Sequence, residues 1–252
     1  MAGKKKDTSL LHHLIGSRSL VWNLAKNDIK KKFAGSYFGV VWAFVQPVIT
    51  VLLYWFVFEK GLNSKATDLR TGIEIPFVLW LTAGLVPWFY FQEALNGGTG
   101  VLVEYSYLVK KVVFQIDMLP VVKMISALFT HLFFVAFTIV LFICMGYMPD
   151  WYALQVIYYS FCMILFATGL VYATSAVTVF FRDMKEVVGI LLQIGMWVTP
   201  IMWNFETMVQ IPGWAIAVLK LNPMYYIVSG YRNALINHIG FWEDMVCHVI
   251  TR

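Results

Sequence analysis

The stretch "VFFRDMKEVVG", residues 179–189, packs four charges, Arg182, Asp183, Lys185 and Glu186, into five positions. The sequence carries no charge over 151–181 or over 187–205. Two uses of the island stay open on charge alone. It is a solvated turn, satisfied by water, by snorkelling or by an Arg182–Glu186 pair at i,i+4 spacing, or it is a docking surface for another chain. Other reactive groupings are missing. No G-x-x-x-x-G-K-[ST] phosphate loop, G-x-S-x-G elbow or H-E-x-x-H pair occurs. His12 and His13 lie in a basic leader, and His131 stands alone in an apolar run, as a packed or hydrogen-bonded residue would. Cys144, Cys162 and Cys247 show no CxxC spacing, so neither a metal centre nor a disulfide framework is read. Acids are absent from the middle of every apolar run, with Glu93 and Asp117 at ends. That argues against an ion-coupled transporter and against a membrane-embedded acid–base enzyme.

The elements that must hold the island are membrane spans. The chain has 252 residues, of which 60% are hydrophobic, 17% aromatic and only 13% charged. A soluble domain carries roughly 25% charged residues. About 20 apolar residues cross a bilayer. Five full spans are expected, at 33–58, 75–92, 119–147, 152–181 and 187–205, with Lys123 and His131 in the third. Four charges at a span centre would cost on the order of 10 kcal/mol, so the island is a turn outside the bilayer. Residues 1–32 hold eight Lys and Arg, and on a five-span reading with that end inside, inside segments collect thirteen. This bias places the N-terminus and the island in the cytoplasm and explains the net charge of +5 without nucleic acid. No signal peptide is read at the start.

Before the first span, "SLVWNLAKNDIKKKF" reads as an amphipathic interfacial helix over 20–33. Val21, Trp22, Ala25, Ile29 and Phe33 share one face, and Asn23, Lys26, Asn27 and Lys30 the other. Residues 206–240 contain apolar pieces of ten or fewer, broken at Pro212-Gly213, Lys220, Asn222-Pro223, Gly230 and Arg232. They predict short re-entrant helices on the outer side, with Tyr225 beside the Asn222-Pro223 break. Residues 241–252 read as the opening of a sixth span, cut short. The whole is one all-α polytopic membrane domain, 1–252: leader 1–19, interfacial helix 20–33, spans one to five over 34–205, outer re-entrant region 206–240 and truncated sixth span 241–252. Most aromatics fit an interfacial belt. Tyr37, Trp42, Phe44 and Trp197 are the candidates for a ring-lined pathway, because flat faces with polar edges suit sugars.

Five segments, "KNDIKKKFAGSYFGVVWAFVQP", "LWLTAGLVPWFYF", "YSYLVKKVVF", "FFRDMKEVVGILLQ" and "LNPMYY", together resemble the permease subunit of polysaccharide-exporting ABC transporters of the ABC-2 type. The look is closest to wall teichoic acid exporters, and O-antigen and capsule exporters share the motif order. The resemblance implies a six-span subunit of the bacterial plasma membrane that pairs with itself and with two copies of a separate ATPase. ATP and Mg would then sit on the partner, and this chain would hold no cofactor or metal. The cargo implied is a glycan on an undecaprenyl diphosphate anchor. By motif, Tyr105, Tyr107, Lys110 and Lys111 would form one ATPase-coupling element. Arg182, Asp183 and Glu186 would form a second. The interfacial helix, with Trp22, Lys26, Ile29, Lys30 and Phe33, would meet membrane lipids. Pro212, Gly213, Asn222, Pro223 and Tyr225 would shape an outer gate. The rivals are an exporter of a drug or simple lipid, a membrane enzyme acting on lipid-linked sugars, and a passive channel.

Overall fold

The computed structural model describes residues 18–32, 34–106, 116–203 and 212–243. Helix α1 (Arg18–Lys32) ends in Lys30, Lys31 and Lys32, whose charges suit the negative end of a helix dipole. Turns at 34–38 follow, with Gly35 and Gly39 at positive φ. Helix α2 (Trp42–Trp55) then runs into a π-helical turn, Phe56–Gly61. A short hairpin, β1 (Ala66–Thr67) against β2 (Glu74–Ile75), leads to α3 (Phe77–Thr99). Then come α4 (Val101–Glu104), α5 (Leu119–Cys144), α6 (Gln155–Phe180), α7 (Met184–Val198), α8 (Gly213–Leu221) and α9 (Pro223–Arg232).

Helix α3 is the centre of the bundle. Leu79, Leu81, Leu85, Trp88, Tyr90 and Ala94 bury different sides of it, as expected of a helix that is apolar all round. It packs on α5, α6, α9, α7 and α2. Two glycines allow the closest approaches. A Cβ on Gly98 would run into Val171 of α6, and one on Gly230 of α9 would run into the Tyr159 ring.

Among the described residues, three helical stretches are long and apolar enough to cross a membrane: Trp42–Gly61, Ile116–Cys144 and Trp151–Phe180. The chain is therefore a mostly helical polytopic membrane protein, with the β1–β2 hairpin between its helices. The first span begins later than expected, because the glycine turns keep residues 34–38 out of the helix. Helix α3 is longer than its predicted span and ends at Thr99. Helix α7 is shorter than its own. Its 15 residues reach about 22 Å, against a hydrocarbon core of about 30 Å. Pro200 forces Thr199 into an extended conformation (φ −72°, ψ 129°) and ends it.

The region from 212 onward forms the two short helices α8 and α9. The breaks expected at Gly230 and Arg232 are absent. Helix α9 runs through both and continues as a π-helical turn, Asn233–Asn237, before His238 turns left-handed at φ 51°. Gly230 is a packing residue rather than a breaker. The predicted start of a sixth span at 241–252 lies largely outside the described residues.

The buried face of α1 also differs from the predicted one. Val21, Ala25 and Asp28 are buried, against Met118 and Val122 at the start of α5. Trp22 is half exposed against Phe129, with Lys26 over its ring, and Ile29 is only partly covered. The helix has rolled so that a carboxylate faces inward, which only a partner inside could support. Phe33 lies outside the described residues.

Candidate functional site

That partner is Lys123, one turn into α5. Its Nζ donates to Asp28 Oδ1 at 2.7 Å, and the Tyr105 hydroxyl donates to the same oxygen at 2.7 Å. Glu104, at the end of α4, lies 3.0 Å from the same ammonium. Lys31 and Lys123 both stand 5.5 Å from the centre of the Tyr105 ring. The Lys123 and Asp28 side chains are only 12% and 9% exposed. Burial alone would raise the Asp28 pKa. The hydrogen bonds from Lys123 and Tyr105, with the Lys123 charge, outweigh it and hold the carboxyl below its ordinary value. A second ion pair, Lys32–Glu93 at 2.6 Å, fixes the last residue of α1 to α3.

All of this lies at one end of the bundle, where α3 and α6 finish and α5 and α7 begin. Thr99 Oγ1 meets Thr174 Oγ1 at 2.9 Å, and the Tyr172 hydroxyl donates to the Asp117 carbonyl at 2.6 Å. The Lys185 side chain runs alongside Gly100, 3.7 Å from where a Cβ would stand. The charged island and the segment after α3 are therefore neighbours. Arg182 and Asp183 are exposed on the turn between α6 and α7, and Glu186 is exposed just beyond it. Glu186 sits in the first turn of α7, favourable for an acid, and makes no ion pair with Arg182. Tyr105 is buried at 3% exposure in the Asp28 cluster. Tyr107, Lys110 and Lys111 lie outside the described residues.

Above the cluster opens a cavity of about 690 Å³, walled by α1, α2, α3 and α5, with Glu104 of α4 and Lys185 and Met196 of α7 at its edge. Of the predicted pathway residues, Trp42 lines it. Tyr37 is fully exposed in the turn before α2, and Phe44 packs on Phe133 of α5 with ring centres 4.1 Å apart. Trp197, in the last turn of α7, is exposed, and its carbonyl accepts from Trp203 Nε1 at 2.8 Å. None of these three is on the cavity wall. Tyr54, Gln46, Phe89, Gln92 and Asn96 are, and the sequence reading did not single them out.

Toward the other end, Pro212 precedes α8 and Gly213 opens it. Asn222 joins α8 to α9. Its Oδ1 accepts from the Met224 amide at 3.0 Å, and its Nδ2 donates to Thr199 Oγ1 at 2.8 Å, holding the junction to the end of α7. Pro223 takes the first position of α9, where its missing N–H costs nothing. Tyr225 is buried, edge-on to Tyr226. Arg232, first read as a break, is a clamp. Its guanidinium carbon lies 3.3 Å from the Trp80 ring centre, and its nitrogens donate to the Pro200 and Ile201 carbonyls at 2.7 and 2.6 Å. A Cβ on Gly84 would meet that guanidinium at 2.7 Å. His131 Nε2 lies 3.1 Å from the Tyr231 hydroxyl and 3.3 Å from Ser160 Oγ, joining α5, α9 and α6. This bears out the plain reading of that lone histidine.

The chain is 25% identical over 229 residues to the O-antigen export system permease protein RfbA of Myxococcus xanthus, a match covering 91% of this chain and 85% of that protein. It is 21% identical over 232 residues to a Klebsiella pneumoniae protein of the same name, covering 90% and 84%. The ABC-2 type transporter family matches residues 19–236. The chain therefore belongs to the ABC-2 type transporter family, as a membrane-embedded transport subunit that works with a separate ATP-binding subunit.

Proposed function

We propose that this chain is the permease of an ATP-driven exporter for a cell-surface polysaccharide carried on undecaprenyl diphosphate, teichoic acid-like or O-antigen-like. Two copies pair in the bacterial plasma membrane with their N-termini in the cytoplasm. Two copies of the ATPase, which carry the ATP and Mg, seat below them. The observation that carries this reading is the convergence at one end of the bundle. Helix α1, the segment through Tyr105 and the 181–186 turn share that end, and the Asp28–Lys123–Tyr105 cluster binds the first two together. Force applied by the ATPase to the segment through Tyr105 reaches α1 and α5 through short, buried contacts, and the 181–186 island adjoins that segment at Gly100. In this account Arg182, Asp183 and Glu186, with Tyr107, Lys110 and Lys111, touch the ATPase, while Tyr105 transmits from inside. The α8–α9 pair, with its turns at Pro212, Gly213, Asn222 and Pro223, gates the outer mouth. The names of the relatives support a glycan cargo.

The test is purification of the tagged protein in mild detergent from its native cells, with mass spectrometry of what accompanies it. The expected partner is a Walker-motif ATPase in stoichiometric amount, with retained lipid-linked glycan. Charge reversal at Arg182 or Asp183 is expected to abolish export with insertion intact. Normal export by both reversals defeats the coupling role, and a retained drug or simple lipid in place of glycan moves the cargo to that class.

A further inference from the structure

We infer that the β1–β2 hairpin and the turn at His238 form a latch on the outer face, which ties the end of α9 to the start of α6 and which protonation of His238 tightens. This rests on the reading above that the α8–α9 pair gates the outer mouth, and it adds a regulation to that gate: external acid slows its opening. Three elements meet at His238. The π-helical turn Asn233–Asn237 carries the chain to it from α9. The hairpin loop reaches it from one side, and the helical turn Trp151–Leu154 before α6 reaches it from the other.

Hydrogen bonds fix the backbone of the latch. His238 is left-handed at φ 51°, and the Ile239 amide donates back to the Asn233 carbonyl at 3.1 Å. Arg70 Nη1 donates to the His238 carbonyl at 2.9 Å, and the Leu69 amide donates to Asn237 Oδ1 at 3.1 Å. The hairpin loop thus grips the end of α9 twice. Gln155, the first residue of α6, grips the next segment: its Nε2 donates to the Ile239 carbonyl at 3.2 Å and its Oε1 accepts from the Phe241 amide at 2.7 Å. Behind the turn lies a cavity of about 240 Å³, with Asp68, Tyr147, Leu235 and His238 in its wall, so the three elements meet through these polar contacts rather than through a packed core.

The imidazole is aimed at acids that are already held. Its Nδ1 lies 2.9 Å from Asp150 Oδ2, off the line of a hydrogen bond, and the Tyr152 ring stands edge-on with centres 6.1 Å apart. Asp150 is fixed by its own turn, where Oδ1 accepts from the Tyr152 amide at 3.0 Å. Asp68 is buried in the hairpin loop and accepts from the Thr71 hydroxyl and the Arg70 amide. Burial alone would raise the Asp68 pKa. The hydrogen bonds from Thr71 and the Arg70 amide, with the His238 charge, outweigh it and hold the carboxyl below its ordinary value. A protonated ring therefore faces two fixed carboxylates, Asp150 and Asp68, against one cation, Arg70. Groups already immobile lose little freedom on pairing, the cost that weakens most surface pairs. The His238 side chain is 34% exposed, so protons reach it from water. Imidazole changes charge between about pH 5 and about pH 8. The added attraction is present at the acid end and is lost as pH rises through that range.

The experiment uses the complex with its ATPase in lipid nanodiscs and follows amide exchange of residues 66–75, corrected for intrinsic rates, at about pH 5.5 and about pH 8. Protection is expected to be about threefold higher at the acid pH, the worth of a partly exposed ion pair. His238→Asn keeps a residue that tolerates the left-handed turn, and Asp150→Asn keeps an oxygen for the Tyr152 amide. Each is expected to remove the difference. Arg70→Met cuts the grip on the His238 carbonyl and should speed exchange about tenfold at both pH values. Equal protection at both pH values in the wild type, a difference that survives in His238→Asn, or no effect of Arg70→Met overturns the latch. In parallel, ATP-driven glycan entry is measured in inverted membrane vesicles, whose lumen stands for the outside, with the lumen at either pH and the bathing solution constant. Entry about threefold slower with the acid lumen is expected in the wild type, and equal entry in His238→Asn. Equal entry in the wild type overturns the link to the gate. Absence of glycan entry in the wild type at either pH would instead strike the export reading, and the exchange result would stand apart from it.

Discussion

Asp28→Asn is the sharpest perturbation of the coupling end. The amide keeps the shape of the carboxyl and an oxygen for the Tyr105 hydroxyl, so what goes is the charge facing Lys123 at 2.7 Å. Removing one partner of a fully buried pair costs about 3–5 kcal/mol. Here Lys123 keeps Glu104 at 3.0 Å and the Tyr105 ring face, so the loss is set lower, at about 2 kcal/mol. That loss falls on the docking of α1, whose other tether is the Lys32–Glu93 pair nearby. Amide hydrogen exchange of α1 in nanodiscs reads it directly, because local opening sets the rate. About 2 kcal/mol corresponds to roughly 30-fold faster exchange. Lys123→Met strands the carboxylate and is expected to do more, about 3 kcal/mol or roughly 150-fold. Asp28→Leu combined with Lys123→Met should recover most of the protection, since a well-packed apolar pair can replace a buried ionic one. Exchange of α1 within twofold of wild type in Asp28→Asn would refute the reasoning.

Four further outcomes are expected. Arg232→Met leaves the Pro200 and Ile201 carbonyls unpaired under Trp80 and should cost about 2–4 kcal/mol, read as a lower melting temperature; Arg232→Lys should recover only part, for want of the planar fork. Gly230→Ala drives a methyl into the Tyr159 ring and should cost about 1–3 kcal/mol or more, seen as reduced folded yield on size exclusion. Tyr105→Phe removes one hydrogen bond to Asp28 and should speed α1 exchange roughly fivefold, about 1 kcal/mol. The lowered Asp28 pKa fixes a sign: its contribution is fully present above the unfolded value of 3.8 and is lost as pH falls through the lower folded value. Protection of α1, corrected for intrinsic exchange, should hold steady from about pH 8 to about pH 5.

The class of the molecule was legible in the sequence because bilayer physics demands long apolar runs and expels charge. The 119–147 and 152–181 runs match α5 and α6 within a few residues, and the island falls where α6 gives way to α7, with Arg182 and Asp183 in the turn and Lys185 and Glu186 already in the first turn of α7. Helix ends set by single backbone events were less legible. Gly35 and Gly39 delay α2, and Pro200 shortens α7. Arg232 and Gly230 looked like breaks because composition cannot show a guanidinium stacked on a tryptophan 152 positions away. Asp28 was passed over for a related reason. On a helical wheel it spoils the apolar face, and only the fold supplies Lys123 and Tyr105 to pay for its burial. The cavity row did leave a signal. Trp42, Gln46, Thr50 and Tyr54 recur every four residues on α2, one polar-aromatic stripe in an otherwise apolar span.

In the proposed function the 181–186 island seats in an ATPase and is driven by it. A photo-crosslinking residue placed at Arg182, activated in native membranes and followed by mass spectrometry of the adduct, tests it most directly. The expected product is a crosslink to a Walker-motif ATPase whose yield changes when ATP hydrolysis is blocked. Adducts to lipid alone, with no ATPase under either condition, would contradict it.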